Sequence, residues 1–138
     1  MSYLIDTDCL SLLRRKGKSR KLEAFVQANE ADVFVSVVSW AEIAHGIAGA
    51  ADPVFKAELD AWLVKTRTSL AGATEPLDEP VLVRWKQLLS GLKAKHRTMT
   101  CEDSLIAATA LHHGHTVLTR NVSHFEPSGV KVLDPTAY

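Results

Sequence analysis

Thr100–Phe125, TCEDSLIAATALHHGHTVLTRNVSHF, decides the fold. Thr100 can cap a helix, and the apolar residues after Asp103 carry that helix to a Gly stop at Gly114. Thr116–Val117–Leu118 then reads as a short strand, followed by a polar loop that begins at Asn121. A helix that feeds a buried strand is half of an alternating strand–helix chain, and the other half lies upstream. Tyr3–Leu4–Ile5 is an apolar run that ends at Asp6. Val33 to Val38 is β-branched and apolar, a buried strand, with a helix starting at Ser39 and carrying Trp40, Ile43, Ala44 and Ile47 on one face.

Other elements fill the gaps. Helical spacing runs from Leu10 to Leu13 and breaks near Gly17, and Ser19 caps a second helix with Leu22, Phe25 and Val26 on one face. Asp52–Pro53 opens a helix with Phe55, Leu59, Trp62, Leu63 and Leu70 inward and Gly72 as its stop. Thr74 to Leu77 reads as a short strand. Asp78 caps a helix carrying Val81, Leu82, Trp85, Leu88, Leu89 and Leu92, and Gly91 to Met99 reads as a basic loop. Val130 to Leu133 is the last strand. Short apolar strands alternating with amphipathic helices predict an α/β fold: a three-layer α/β/α sandwich with a mostly parallel central sheet.

The 138 residues fit one domain spanning 1–138, and a hydrophobic content of 46% supports a real core. No apolar run is long enough to span a bilayer, and the acidic start of MSYLIDTD precludes a signal-peptide core, so the expectation is a cytoplasmic protein. Two cysteines, Cys9 and Cys101, make no disulfide framework and are expected to be buried thiols. Net charge is zero, so any nucleic-acid signal is local. Arg14, Arg15, Lys16, Lys18, Arg20 and Lys21 form one basic run; Lys93, Lys95, His96 and Arg97 form another. Each also reads as a solvated helix end. His112, His113 and His115 crowd a helix C-terminus, where cations are favoured, and Trp40, Trp62 and Trp85 read as core or interface.

In parallel sheets ligands bind beyond the carboxyl ends of the strands. That rule selects Asp6, Glu42, Asp103 and Asn121. Each has a structural reading as well. Ser39–Glu42 is a capping box, Thr100–Asp103 imitates one, and Asp6-Thr-Asp8 can form an Asx turn with a helix cap. Taken together, several acids on one sheet edge repel each other, and a shared cation relieves that repulsion. Few carboxylates plus water suit Mg²⁺ or Mn²⁺. Such an ion activates water and neutralises charge on a phosphoryl group.

YLIDTDCLSLL, SVVSWAEIAHGI and EDSLIAATALHHGHTVLTRNVSHF, with LDEPVLVRW and the closing GVKVLDP between and after them, resemble the PIN-domain family and in particular its VapC-like toxins. The resemblance runs nearly end to end. It implies a metal-dependent endoribonuclease that cuts transfer or ribosomal RNA, held in check by a small VapB-like antitoxin and forming a homodimer. By position it assigns the family's acids to Asp6, Glu42 and Asp103. Many relatives carry an acid at or near Asn121, and many carry Asp where this chain has His124, so Asn121 or His124 stands in for the fourth acid, with Asn121 placed among the metal ligands. Asp8, Glu102, Thr119, Arg120 and His124 follow as supporting or substrate-contacting residues. Two other readings stand beside this one: a non-catalytic relative that binds RNA or antitoxin, and an aspartyl-nucleophile phosphatase opening on Asp6-Thr-Asp8.

Overall fold

The computed structural model describes residues 1–137. Five strands form one wholly parallel sheet in the order β3-β2-β1-β4-β5, with β1 Tyr3–Ile5, β2 Val33–Ser36, β3 Thr74–Glu75, β4 Thr116–Leu118 and β5 Val132–Leu133. Alternation along the strands divides the interior in two. Tyr3, Ile5, Val33, Val35 and Leu118 face one cluster, which also contains Cys9, Leu10, Leu22, Trp40, Ile43, Ile47 and Leu63. Leu4 and Val117 face the opposite cluster with Ile106, Ala107, Ala110 and Phe125, joined by the half-buried Phe34 and Leu88. Side chains alternate faces along a strand, so a parallel sheet with both faces apolar has to be covered twice. The first face is covered by α1 Thr7–Arg14, α2 Arg20–Ala28, α3 Val37–Ala48 and α4 Pro53–Ser69; the second by α5 Glu79–Ala94, α6 Cys101–His113 and the single turn α7 Val122–Phe125. This is the expected three-layer sandwich.

Caps set most boundaries. Asp6, Ser19, Asp52, Asp78 and Thr100 each accept a backbone N–H from the first turn of the helix that follows. Gly114 closes α6 at φ +73°, a left-handed conformation that an L side chain adopts only at a cost.

Several boundaries differ from the sequence reading. The strand expected over Val33 to Val38 stops at Ser36, because the Ser36 hydroxyl accepts the Val38 N–H and caps α3. Ser39 is therefore inside the helix, and Ser39–Glu42 is not a capping box. α4 ends at Ser69 with Leu70 as its cap, and Gly72 lies in the 3-10 turn Ala71–Ala73 that follows. α5 runs through Gly91 to Ala94, so only the remainder of the segment read as a basic loop is irregular. β3 and β5 are two residues each, shorter than read. The polar loop after β4 contains α7, which turns Phe125 into the core. Cys9 is buried as expected, whereas Cys101 is exposed on the first turn of α6. Phe55, read as inward, is 42% exposed and lies beneath the Arg14 guanidinium. His113 and His115 do more than complement a helix end: their Nε2 atoms stand 2.9 and 3.2 Å from Glu75 Oε2, tying the end of α6 to β3. Burial lowers the His115 pKa, and the Glu75 carboxylate only partly offsets this.

The two glycines give a contrast to measure. A Cβ at Gly114 meets no neighbour within 4 Å, so Gly114→Ala costs only the backbone strain of the left-handed region, about 1 kcal/mol. Gly72 has an ordinary φ and equally open surroundings, so Gly72→Ala is neutral or stabilising. Urea denaturation of the two variants should move the midpoint down for the first and not for the second.

Candidate active site

The order of the sheet reverses between β1 and β4, the two strands on either side of the crevice where ligands bind in folds of this kind. Asp6 follows β1 directly. Its backbone N–H extends the sheet by bonding Leu118 O at 3.0 Å, and its Oδ1 accepts the Cys9 N–H at 2.8 Å. This carboxylate is thus the cap of α1, as an Asx-type reading requires, and is only 5% exposed. Glu42 comes from the second turn of α3. Its Oε1 accepts the Thr7 hydroxyl at 2.6 Å, and that hydroxyl also lies 2.9 Å from Ser39 Oγ. Asp103 is in the first turn of α6, behind the Thr100 cap. Asn121 follows β4, with its N–H held by the buried Thr119 hydroxyl at 2.9 Å.

The structure brings these side chains to one cavity of about 270 Å³. It is lined by Asp6, Asp8, Glu42, Asp103, Asn121 and His124, with Thr7, Ser11 and the buried Phe125 completing the wall. All four residues expected at the centre are there. Of the supporting residues, Asp8 and His124 share the cavity, and His124 Nδ1 stands 3.7 Å from Asp103 Oδ2. Thr119 lies beneath Asn121 and partly stabilises the Asp6 carboxylate by hydrogen bonding. Arg120 turns to Asp8, making a two-pronged pair at 2.8 and 3.2 Å. Glu102 is outside the cavity and, together with Glu42, borders a neighbouring groove of about 610 Å³ whose other walls include Val37, Val38, Ala41, Leu77 and Leu105. Sequence reasoning missed Thr7 and Ser11. Thr7 carries a local signal, a hydroxyl immediately after the strand-end acid, but its partner Glu42 is 35 residues away.

The electrostatics of the cavity are uncompensated. Burial raises the Asp6 pKa above the ordinary carboxylate value, and hydrogen bonds from Thr119 and Cys9 only partly oppose it. Burial also raises Glu42, opposed by the Thr7 hydroxyl and reinforced by the charges of Glu102 and Asp103. It raises Asp103 as well, opposed by Thr100 and His124. Among the described residues, no Lys or Arg pairs with any of the three. Desolvated acids with oxygen donors and no cationic partner match the ligand preference of a hard divalent ion. As the side chains stand, no three His, Cys, Asp or Glu groups among the described residues are disposed to hold one. The fit therefore rests on the donor chemistry.

A family description, the PIN domain, matches residues 3–126. The chain belongs to the PIN-domain family. It is 31% identical over 134 residues to the toxin FitB of Neisseria gonorrhoeae, covering 96% of both chains. It is 28% identical over 137 residues to a VapC ribonuclease of Sinorhizobium fredii, again over 96% of each. Among solved structures, FitAcB from N. gonorrhoeae superposes with a TM-score of 0.90 at 30% identity, covering 99% of both chains. No described helix is long and apolar enough to cross a membrane.

In the metal-free protein, a carboxyl whose folded pKa exceeds its unfolded value stabilises the fold below the unfolded pKa. That stability is lost as pH rises through the folded pKa. Asp6→Asn keeps a cap of equal quality and removes the buried charge. In EDTA it should raise the thermal midpoint at pH 7 and raise it much less at pH 3.5. Calorimetry at the two pH values checks the sign.

Proposed function

We propose that the chain is a VapC-like ribonuclease toxin, a metal-dependent endoribonuclease that hydrolyses RNA phosphodiester bonds. The observation that carries this reading is the gathering of Asp6, Glu42, Asp103 and Asn121 in one cavity, with no Lys or Arg among the described residues paired to those three acids. The likeness to a VapC ribonuclease and to the FitB toxin supports it. Asp6, Glu42, Asp103 and Asn121 would hold Mg²⁺ or Mn²⁺, with Asn121 supplying a neutral oxygen where many relatives have an acid. When bound, such an ion polarises a phosphoryl oxygen and lowers the pKa of an attacking water.

The chain's own residues prepare the site for that chemistry. The Cys9 N–H fixes one Asp6 oxygen at the start of α1. Thr7 orients Glu42, and Thr119 fixes the backbone that presents Asn121. Phe125, buried at the cavity wall, limits water behind the acids. The substrate class that fits is RNA, transfer or ribosomal RNA by family likeness, and cytoplasmic action follows from that substrate.

The partner that fits is a VapB-like antitoxin. The apolar groove beside Glu42 and Glu102 suits a bound segment that carries a basic residue toward these acids. A homodimer is the assembly this reading favours, since Val54, Phe55 and Val64 of α4 are exposed apolar residues. A second reading, an RNA- or antitoxin-binding relative that does not cut, draws on Asn121 and His124 standing where an acid is common. The aspartyl-nucleophile alternative is weaker, because Asp6 is 5% exposed and already ties an oxygen to α1.

Incubating antitoxin-free protein with total cellular RNA in Mn²⁺, Mg²⁺ or EDTA separates these readings. The expected result is cutting in either metal, none in EDTA, and a loss of roughly 100-fold or more in Asp103→Asn and Glu42→Gln with unchanged circular dichroism. Intact RNA binding without cutting in any condition would favour the second reading.

A further inference from the structure

Beside the acidic cavity lies a smaller one of about 100 Å³, lined by Asp8, Ser11, Leu12, Arg14, Arg15 and Arg120. Asp8 and Ser11 belong to both, so the two spaces share a wall on α1. We infer that this second cavity is a phosphate subsite, holding a backbone phosphate of single-stranded RNA next to the one that reaches the acids. The inference rests on the nuclease reading for its choice of ligand and on the arginines for its location.

Three features carry it. First, the cavity is cationic where its neighbour is anionic. Among the described residues neither Arg14 nor Arg15 has a carboxylate partner. Arg14 is held instead over the Phe55 ring, 5.6 Å from its centre, a contact that steadies the guanidinium without neutralising it. Second, Arg120 is preorganised. Asp8 accepts hydrogen bonds from its Nε and Nη2, so the side chain is fixed, and Nη1 retains its donors with no protein acceptor among the described residues. Asp8 acts here as a positioning residue. Third, the lining suits a phosphate rather than a base: Leu12 gives it an apolar floor, and no aromatic side chain lines it to stack a base. Arginine forks recognise phosphate oxygens in two-pronged fashion, and such contacts set the register of a strand without reading its sequence. A phosphate seated there would lay the neighbouring linkage across Ser11 and Asp8 toward Asp6 and Asp103.

The arrangement also accounts for the first basic run. Its opening pair, Arg14 and Arg15, lines this cavity; Lys16 and Lys18 are exposed at the loop that follows α1.

The test is equilibrium binding, which needs no cleavage. A fluorescein-labelled, mixed-sequence single-stranded RNA 12-mer is titrated with the full chain in EDTA, by anisotropy, from 50 to 200 mM KCl. Arg14→Gln/Arg15→Gln is expected to weaken binding about fivefold to tenfold at the lowest salt. It should also flatten the log Kd against log salt slope by about 0.7, the value for one single-strand phosphate contact. Arg15→Gln alone, an exposed side chain with no hydrogen bond or ion pair among the described residues, should show the same flattening and keeps the test readable if loss of Arg14 from Phe55 unsettles the fold. Arg84→Gln/Lys86→Gln removes the same charge from exposed α5 positions that line neither cavity, and should leave the slope unchanged. An unchanged slope in both α1 variants, or an equal change in the α5 variant, would overturn the subsite. Cleavage lost through Asp103→Asn while the α1-dependent slope persists would leave it standing, so the two readings fail separately.

Discussion

Asp6, Glu42 and Asp103 carry like charges into one small cavity, and each is pushed toward its protonated form by burial. The fold does not relieve this from within: no arginine or lysine pairs with them among the described residues, and the nearest basic group is His124, 3.7 Å from Asp103. Holding them together without a cation lowers stability at neutral pH. A protein tolerates such an arrangement where the site needs it and the surrounding core over-determines it.

The surrounding structure provides that core. Leu4, Ile5, Val35, Val117 and Leu118 are almost wholly buried, and the parallel pairing of β1 with both β2 and β4 fixes the register of the strand ends from which the site residues emerge. Each acid is then anchored by a local device: the α1 cap for Asp6, the Thr7 hydroxyl for Glu42, the Thr100 cap behind Asp103. Charge is also sorted over the surface nearby. The acids face one cavity, and the arginines of α1 and the β4 loop face the next, with Asp8 bridging the two through Arg120. An anionic strand meets an attractive wall beside a repulsive one, a layout that orients a substrate as well as holding it.

Much of this was legible in the sequence, for a physical reason. Caps and strand periods are local, so Asp6, Asp78, Thr100 and Gly114 announce themselves within a few residues, and the four-position constellation follows from the rule about strand ends. What was misread depends on competition between neighbours. Ser36 and Ser39 are both good caps, and only the position of β2 in the sheet decides for Ser36. Gly91 resembles a stop, but packing of α5 on α6 and the burial of Leu92 carry the helix past it. Cys101 is exposed because it is the first residue of α6, whose burial begins only at Ser104. The contacts Thr7–Glu42, Arg120–Asp8 and His115–Glu75 span 35, 112 and 40 residues, so no local pattern announces the pairing.

The most direct test of a shared cation is Mn²⁺ binding followed by isothermal titration calorimetry in two buffers of different ionisation enthalpy. The account predicts saturable binding by the wild-type chain that releases protons near pH 5, where the raised carboxyls are partly protonated, and little proton release near pH 8. Binding should be lost in both Asp103→Asn and Glu42→Gln. Absence of binding by the folded wild-type chain, or binding that survives both substitutions, would contradict it.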